Sequence, residues 1–134
     1  EEEVRKYAAV MPGKPIWFGI GSTGQTVFGL PGNPVSALVC LLRYVVPALA
    51  AMAGAPARGT EHIPLGSAFR VKPALACFLP VGVEYSSTLG MVAMPRPTRG
   101  SGDFISLLGT DGFVELPPGP REFAAGFLAP LYRW

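Results

Sequence analysis

Phe28-Gly29-Leu30-Pro31-Gly32-Asn33-Pro34-Val35-Ser36 is the stretch that decides how this chain is organised. Thr26 to Leu30 reads as a short buried strand. Pro31 and Gly32 end it. Asn33 is a good helix N-cap, and Pro34 suits the first helical position because its ring sets φ and its missing N–H costs nothing there. A helix start leaves free N–H groups and a partial positive charge. A capping box would put Glu or Gln at the third helical position, and here Ser36 stands there instead. With no carboxylate to neutralise it, the turn is a candidate anion site: Gly32 permits close backbone approach and the Ser36 hydroxyl adds a donor. An ordinary strand–helix connection explains the same residues equally well.

Outward from this turn, Ile16-Trp17-Phe18 reads as a strand and Gly19 to Gly24 as a turn, with the tail of a helix before them at Glu1 to Ala9. After the turn a helix runs to about Ala53. Val35, Leu38, Val39, Leu42, Val45, Val46 and Leu49 form its core stripe, with Ser36, Cys40, Arg43 and Pro47 on another side. The segment is long enough to weigh as a membrane span. Arg43 near its centre, costing roughly 3 kcal/mol in lipid on insertion scales, and the interruption at Pro47 favour a buried helix of an α/β layer. Gly54 to Thr60 is small and turn-rich and marks a boundary. Beyond it the expected strands are Ala68–Lys72, Leu75–Val83 running on to a turn at Ser87, Gly90–Met94, Gly112–Leu116 and Phe127–Tyr132. A short helix is expected over Asp103–Leu108. Strands at this spacing predict a small barrel or sandwich.

Composition agrees. The 134 residues are 49% apolar and 15% charged, with 17 Gly and 15 Pro, which excludes dominant disorder and an all-helical bundle. A net charge of +2 argues against a nucleic-acid binder. Cys40 and Cys77 sit in apolar runs and are expected as core thiols rather than a disulfide. No spacing suits a metal site, and no triad can be built around His62, the sole histidine, expected on the surface or in a turn. The chain opens Glu1-Glu2-Glu3 without an initiator Met or a leader, and reads as a piece of something longer.

Two more features bear on chemistry. In Met11-Pro12-Gly13-Lys14-Pro15, the proline restricts the directions open to Lys14. The cation either stands beside an anion or is a solvated loop lysine. In Thr98-Arg99-Gly100-Ser101-Gly102-Asp103, Ser101 is expected to cap the helix that follows, with Asp103 in its first turn; a second oxyanion contact is the rival.

Pro12 to Pro15, then Gly29 to Ala37 (Gly-Leu-Pro-Gly-Asn-Pro-Val-Ser-Ala), then Gly100-Ser101-Gly102, Leu107-Leu108 and Asp111 to Pro117 together resemble the molybdopterin molybdenumtransferase (MoeA/gephyrin E-domain) family, over the final third of a family member. The resemblance implies that residues 1–57 form the last part of a molybdopterin-binding α/β domain. Residues 58–134 would then be a linker and a C-terminal β-barrel-like domain. It implies a role in molybdenum-cofactor biosynthesis, in which adenylylated molybdopterin takes up molybdate and releases AMP. That step depends on Mg²⁺, which this fragment is not expected to bind. It carries Lys14 and Pro15 over as an oxyanion loop, Gly32, Asn33, Pro34 and Ser36 as a second signature, and Ser101 as the serine that closes over the cleft. A cytoplasmic protein is implied, a homodimer at full length, with a small pterin substrate and neither nucleic acid nor membrane as partner. The chain departs from the family at Met11, Leu75 and Pro80, where basic residues are usual, and Arg70 or Lys72 are the possible substitutes. The Gly-Gly-x-Ser-x-Gly and acidic motifs of the α/β domain are absent, so this piece is expected to be inactive alone. Two rival functions stay open: a non-catalytic scaffold or interaction module, and an inactive paralogue that retains the fold.

Overall fold

A computed structural model describes residues 16–71, 76–98 and 103–134. The expected helix at Glu1–Ala9 lies outside them. The first element is a hairpin of β1 (Trp17–Ile20) and β2 (Thr26–Gly29), paired antiparallel with Phe18 opposite Phe28. Those two rings meet at 5.2 Å. The Trp17 ring lies against the backbone of Gly19 and Gly29, where a Cβ would collide with it or crowd it. Gly24, at φ 84°, permits the left-handed step in the connecting turn. Within this chain β2 is half-exposed, not buried as its apolar run suggests.

The helix is one 19-residue run, Pro34–Met52, built from α1 (Pro34–Cys40), a π-helical turn over Leu41–Val45 and α2 (Val46–Met52). Pro47 accounts for the wide turn. A proline inside an α-helix lacks an N–H and drives its ring against the carbonyl four residues back. A π-turn admits one extra residue and relieves that clash. The Val46 N–H accordingly reaches the Leu41 carbonyl, five residues back. The run is long and apolar enough to cross a membrane. Its burial differs from the expected stripe: Val35, Val39, Cys40 and Val45 are buried, whereas Val46 and Leu49 are exposed. Cys40 and Arg43, read as lying on another side, belong instead to the face that packs on protein.

Next come β3 (Glu61–Pro64), β4 (Phe69–Arg70), β5 (Cys77–Ser86), β6 (Gly90–Pro95), β7 (Gly112–Leu116), β8 (Glu122–Phe123) and β9 (Leu128–Arg133). The main sheet is antiparallel with order β3-β9-β7-β5-β6. It curls until its ends approach: Leu65, just past β3, forms a parallel bridge with Ala93 of β6, and the Gly66 N–H donates to the Ala93 carbonyl at 2.9 Å. The result is a half-barrel, and β4 and β8 form a separate two-stranded ribbon. Two strands lie where the sequence reads as linker or coil. His62 sits in β3, exposed, with Nδ1 3.0 Å from the Thr60 carbonyl. The expected helix at 103–108 shortens to a single 3-10 turn at Ile105–Leu107.

Strand alternation sorts the sheet into two apolar faces. Leu79 and Val81 of β5, Val114 and Leu116 of β7, and Ala129 and Leu131 of β9 point inward with Ile63, Leu65, Ala93 and Phe123. Their neighbours Phe78 and Phe113 point outward and form a second cluster with Val39 of α1, flanked by Leu42 and Tyr132. The expected Leu75–Val83 strand reads as unbroken hydrophobicity because both faces are covered there. Pro80 is tolerated within β5 because its carbonyl accepts from the Arg96 N–H just past β6, so its nitrogen faces the point where that ladder stops. Cys40 and Cys77 are free thiols, as expected.

Gly112 is where the sheet is tightest: a Cβ there would run into the backbone of Tyr132 and Arg133 on β9. Those atoms are main chain and cannot swing aside. Gly112→Ala should destabilise the fold by about 3 kcal/mol, read as a lowered urea midpoint at unchanged slope. A loss below about 0.5 kcal/mol would show that β7 and β9 separate freely.

Candidate functional site

The turn before α1 is built as the sequence suggests. Asn33 is extended (φ −77°, ψ 125°), its Oδ1 accepts the Ser36 N–H at 3.0 Å, and its carbonyl accepts the Ala37 N–H at 2.8 Å. Pro34 follows at the first helical position, with no acidic residue in the first turn. Since Pro34 has no N–H, and Ser36 and Ala37 are taken, the cap leaves the Val35 N–H and the Ser36 hydroxyl as donors. Gly32 is exposed, has no left-handed φ, and a Cβ there would meet nothing within 4 Å. Neither turn geometry nor packing among the described residues calls for glycine there.

Gly32, Asn33, Pro34 and Ser36 are thus brought together in one turn. Lys14, Pro15 and Ser101, with Met11, Lys72 and Leu75, lie outside the described residues. The cap expected at Ser101 lies outside the described residues; Asp103, just after it, accepts the Ser106 N–H through Oδ1 at 3.2 Å and the Ser106 hydroxyl proton through Oδ2. Arg70, a possible replacement cation, is paired with Glu122 at 2.9 Å. Phe78 and Pro80 are both buried. Among the described residues no group of three or more His, Cys, Asp or Glu could hold a metal ion.

The structure also assembles a polar cluster that local sequence patterns do not reveal. Arg43, in the π-turn, donates through Nε to Glu115 Oε2 of β7 at 2.8 Å, and the Tyr132 hydroxyl of β9 donates to the same oxygen at 3.1 Å. The guanidinium lies 5.1 Å from the Tyr44 ring centre and 5.4 Å from that of Tyr132. The side chains of Arg43 and Glu115 are 34% and 21% exposed. Burial works against the Arg43 charge, but the hydrogen bond and charge of Glu115 outweigh it and raise its pKa. Burial, then the Glu115 charge, push the Tyr132 phenol from its ordinary 10 to about 12. A cavity of about 490 Å³ opens beside the cluster, lined by Arg43, Thr60, His62, Glu115, Phe127 and Tyr132 among others.

The profile of the family described as MoeA C-terminal region (domain IV) matches residues 62–134. The chain belongs to this MoeA family. Residues 1–51 match a second description, probable molybdopterin binding domain. A molybdopterin molybdenumtransferase of Synechocystis sp. (strain ATCC 27184 / PCC 6803 / Kazusa) is 42% identical over 135 residues, covering 98% of this chain and 32% of the relative. The crystal structure of a molybdopterin biosynthesis MoeA protein from Pyrococcus horikosii superposes with a TM-score of 0.74 at 33% identity, over 98% of this chain and 32% of that one. A second, from Pyrococcus horikoshii OT3, gives 0.73 at 23% identity over 98% and 33%, a likeness of fold. The chain spans about a third of the length of these relatives. The helix and half-barrel match the architecture of these MoeA structures.

Tyr132 offers a direct check on the cluster. A phenol whose pKa is raised by folding adds stability that is whole below the unfolded value of 10 and is lost as pH rises through about 12. Phenolate absorbance should show one tyrosine titrating near 12 that disappears in Tyr132→Phe and moves down in Glu115→Gln. No change in that late step on removing Tyr132 would place the shifted phenol elsewhere.

Proposed function

We propose that this chain is the C-terminal part of a molybdopterin molybdenumtransferase, acting in molybdenum-cofactor biosynthesis in the cytoplasm. In this reading residues 1–57 complete a molybdopterin-binding α/β domain and residues 58–134 form the β-barrel-like domain beside it. The observation that carries it is 42% identity to a protein of that name across 98% of the chain. The substrates would be adenylylated molybdopterin and molybdate, with AMP released. Both substrates are anions, and an uncapped-by-carboxylate helix start with a hydroxyl donor suits them. The Val35 N–H and the Ser36 hydroxyl would hold an oxyanion, Asn33 and Pro34 would fix the helix start, and Gly32 would leave room for the ligand. Lys14 and Pro15 would supply the cation and its direction, and Ser101 a further hydroxyl. Mg²⁺ would be held by the rest of the full-length protein together with the substrate's phosphates. The functional unit would be a homodimer of the full-length protein, and this piece alone would be inactive.

One observation favours a scaffold or inactive paralogue instead. Pro80 is buried between neighbouring strands where the family resemblance calls for a cation. Full-length protein that keeps its partners but lacks transferase activity would carry that reading.

The test separates cap from ligand. Asn33→Ala should cost about 1 kcal/mol of stability by loss of the cap. Asn33→Asp keeps a capping oxygen and adds a charge favourable to the helix start, so stability should hold. The same charge should weaken molybdate binding by roughly tenfold or more, read by calorimetric titration at low salt. Ser36→Ala and Lys14→Ala should weaken it too. Unchanged molybdate affinity in Asn33→Asp would remove the anion site from this turn.

A further inference from the structure

We infer that Arg43, Glu115 and Tyr132 are positioning residues: they set the angle at which the half-barrel sits on the helix whose first turn carries the proposed anion site. The inference rests on that reading of the turn. Arg43 lies about 13 Å along the helix from Pro34 and so takes no part in the turn itself. The contact between helix and sheet has two components. Val39, Phe78 and Phe113 make the apolar one, which is non-directional and tolerates rotation. The polar one is directional. A planar guanidinium donates to Glu115 Oε2, the Tyr132 hydroxyl donates to the same oxygen, and the guanidinium lies over two rings, one on each side of the interface. Glu115 and Tyr132 stand on β7 and β9, so a single carboxylate oxygen ties the helix to two strands at once.

Placement supports a strut rather than a buried core contact. The cluster is partly exposed, and it borders the 490 Å³ cavity, which Arg43 lines from the helix and residues of the half-barrel line from the other sides. Tyr132 joins the two components, since its ring stacks on Phe113 of the apolar cluster and its hydroxyl donates to Glu115; the apolar contact holds helix and sheet together and the directional ion pair fixes their angle. The π-turn sits at the same place: Arg43 is its central residue. Widened turns of this kind re-aim side chains, and this one aims Arg43 at β7. Val39, three residues from Ser36, belongs to this contact, so the angle of the half-barrel on the helix sets how near the sheet stands to the turn.

The experiment uses the full-length protein and two readouts. Arg43→Ala and Glu115→Gln should each raise the molybdate KM by roughly tenfold with little change in kcat, and the double variant should do no worse than either single. The charge-swapped pair Arg43→Glu with Glu115→Arg should recover part of the loss. Hydrogen exchange should report the strut across the interface: Glu115→Gln speeds exchange in the helix around Leu41–Val46, and Arg43→Ala speeds it in Leu128–Arg133. If Ser36→Ala leaves the molybdate KM unchanged while exchange crosses the interface, the anion reading fails and the strut stands. Exchange confined to the mutated side, or additive KM effects in the double variant, would overturn the strut. Should Arg43→Ala not fold, Glu115→Gln, which is nearly isosteric, decides alone by the same two readouts.

Discussion

The structure depends on β7 being covered on both faces. Val114 and Leu116 close the interior of the half-barrel, while Phe113 and Glu115, one residue out of phase, meet the helix. Phe113 gathers three rings around it: Phe78 edge-on at 5.6 Å, Tyr132 stacked at 5.0 Å and Trp134 tilted at 5.6 Å. Because side chains alternate strictly along a strand, a slip of one residue would bury Glu115 in the barrel and push Val114 against the helix. Glycine at 112 then lets β9 approach closely enough to deliver Tyr132 to the same face. Helix placement, barrel closure and the polar cluster all follow from this one register.

Elements with a continuous apolar run were legible in the sequence. Gly112–Leu116 matches its strand residue for residue, and Gly90–Met94 and Phe127–Tyr132 fall within one residue at each end. β3 was not legible: Glu61-His62-Ile63-Pro64 buries only Ile63, and one inward residue is too little alternation to recognise. β8, with two residues, offers no period at all. The helix was legible as a helix but not in its facing. Its apolar residues outnumber what one face can bury, so a single 3.6-residue stripe misassigns Cys40, and the π-turn that begins at Leu41 then shifts the phase before Arg43.

The candidate site divides along the same line. The Asn33 cap is a contact across three residues and can be read from the order Asn-Pro-Val-Ser. The Arg43–Glu115 pair spans 72 positions, and only the fold brings it together. As a lone charge in an apolar helix, Arg43 signalled that something must face it, but nothing nearby in sequence said what. Its partner and its stacking on tyrosine give it a purpose beyond keeping the helix out of lipid.

The π-turn ties together two features that otherwise look independent. A π-turn is an α-helix with one residue inserted, and Pro47 is what makes the insertion comfortable. Deleting one residue between 41 and 45 would rewind the segment to a regular α-helix and bring the Pro47 ring onto the carbonyl four residues before it. Replacing Pro47 alone would leave an unneeded extra residue, which the helix could shed only by rotating one half against the other by about 100°. Length and proline are therefore physically coupled. A relative that lacks the proline is expected to be one residue shorter here, with its alignment gap falling inside the helix rather than in a loop.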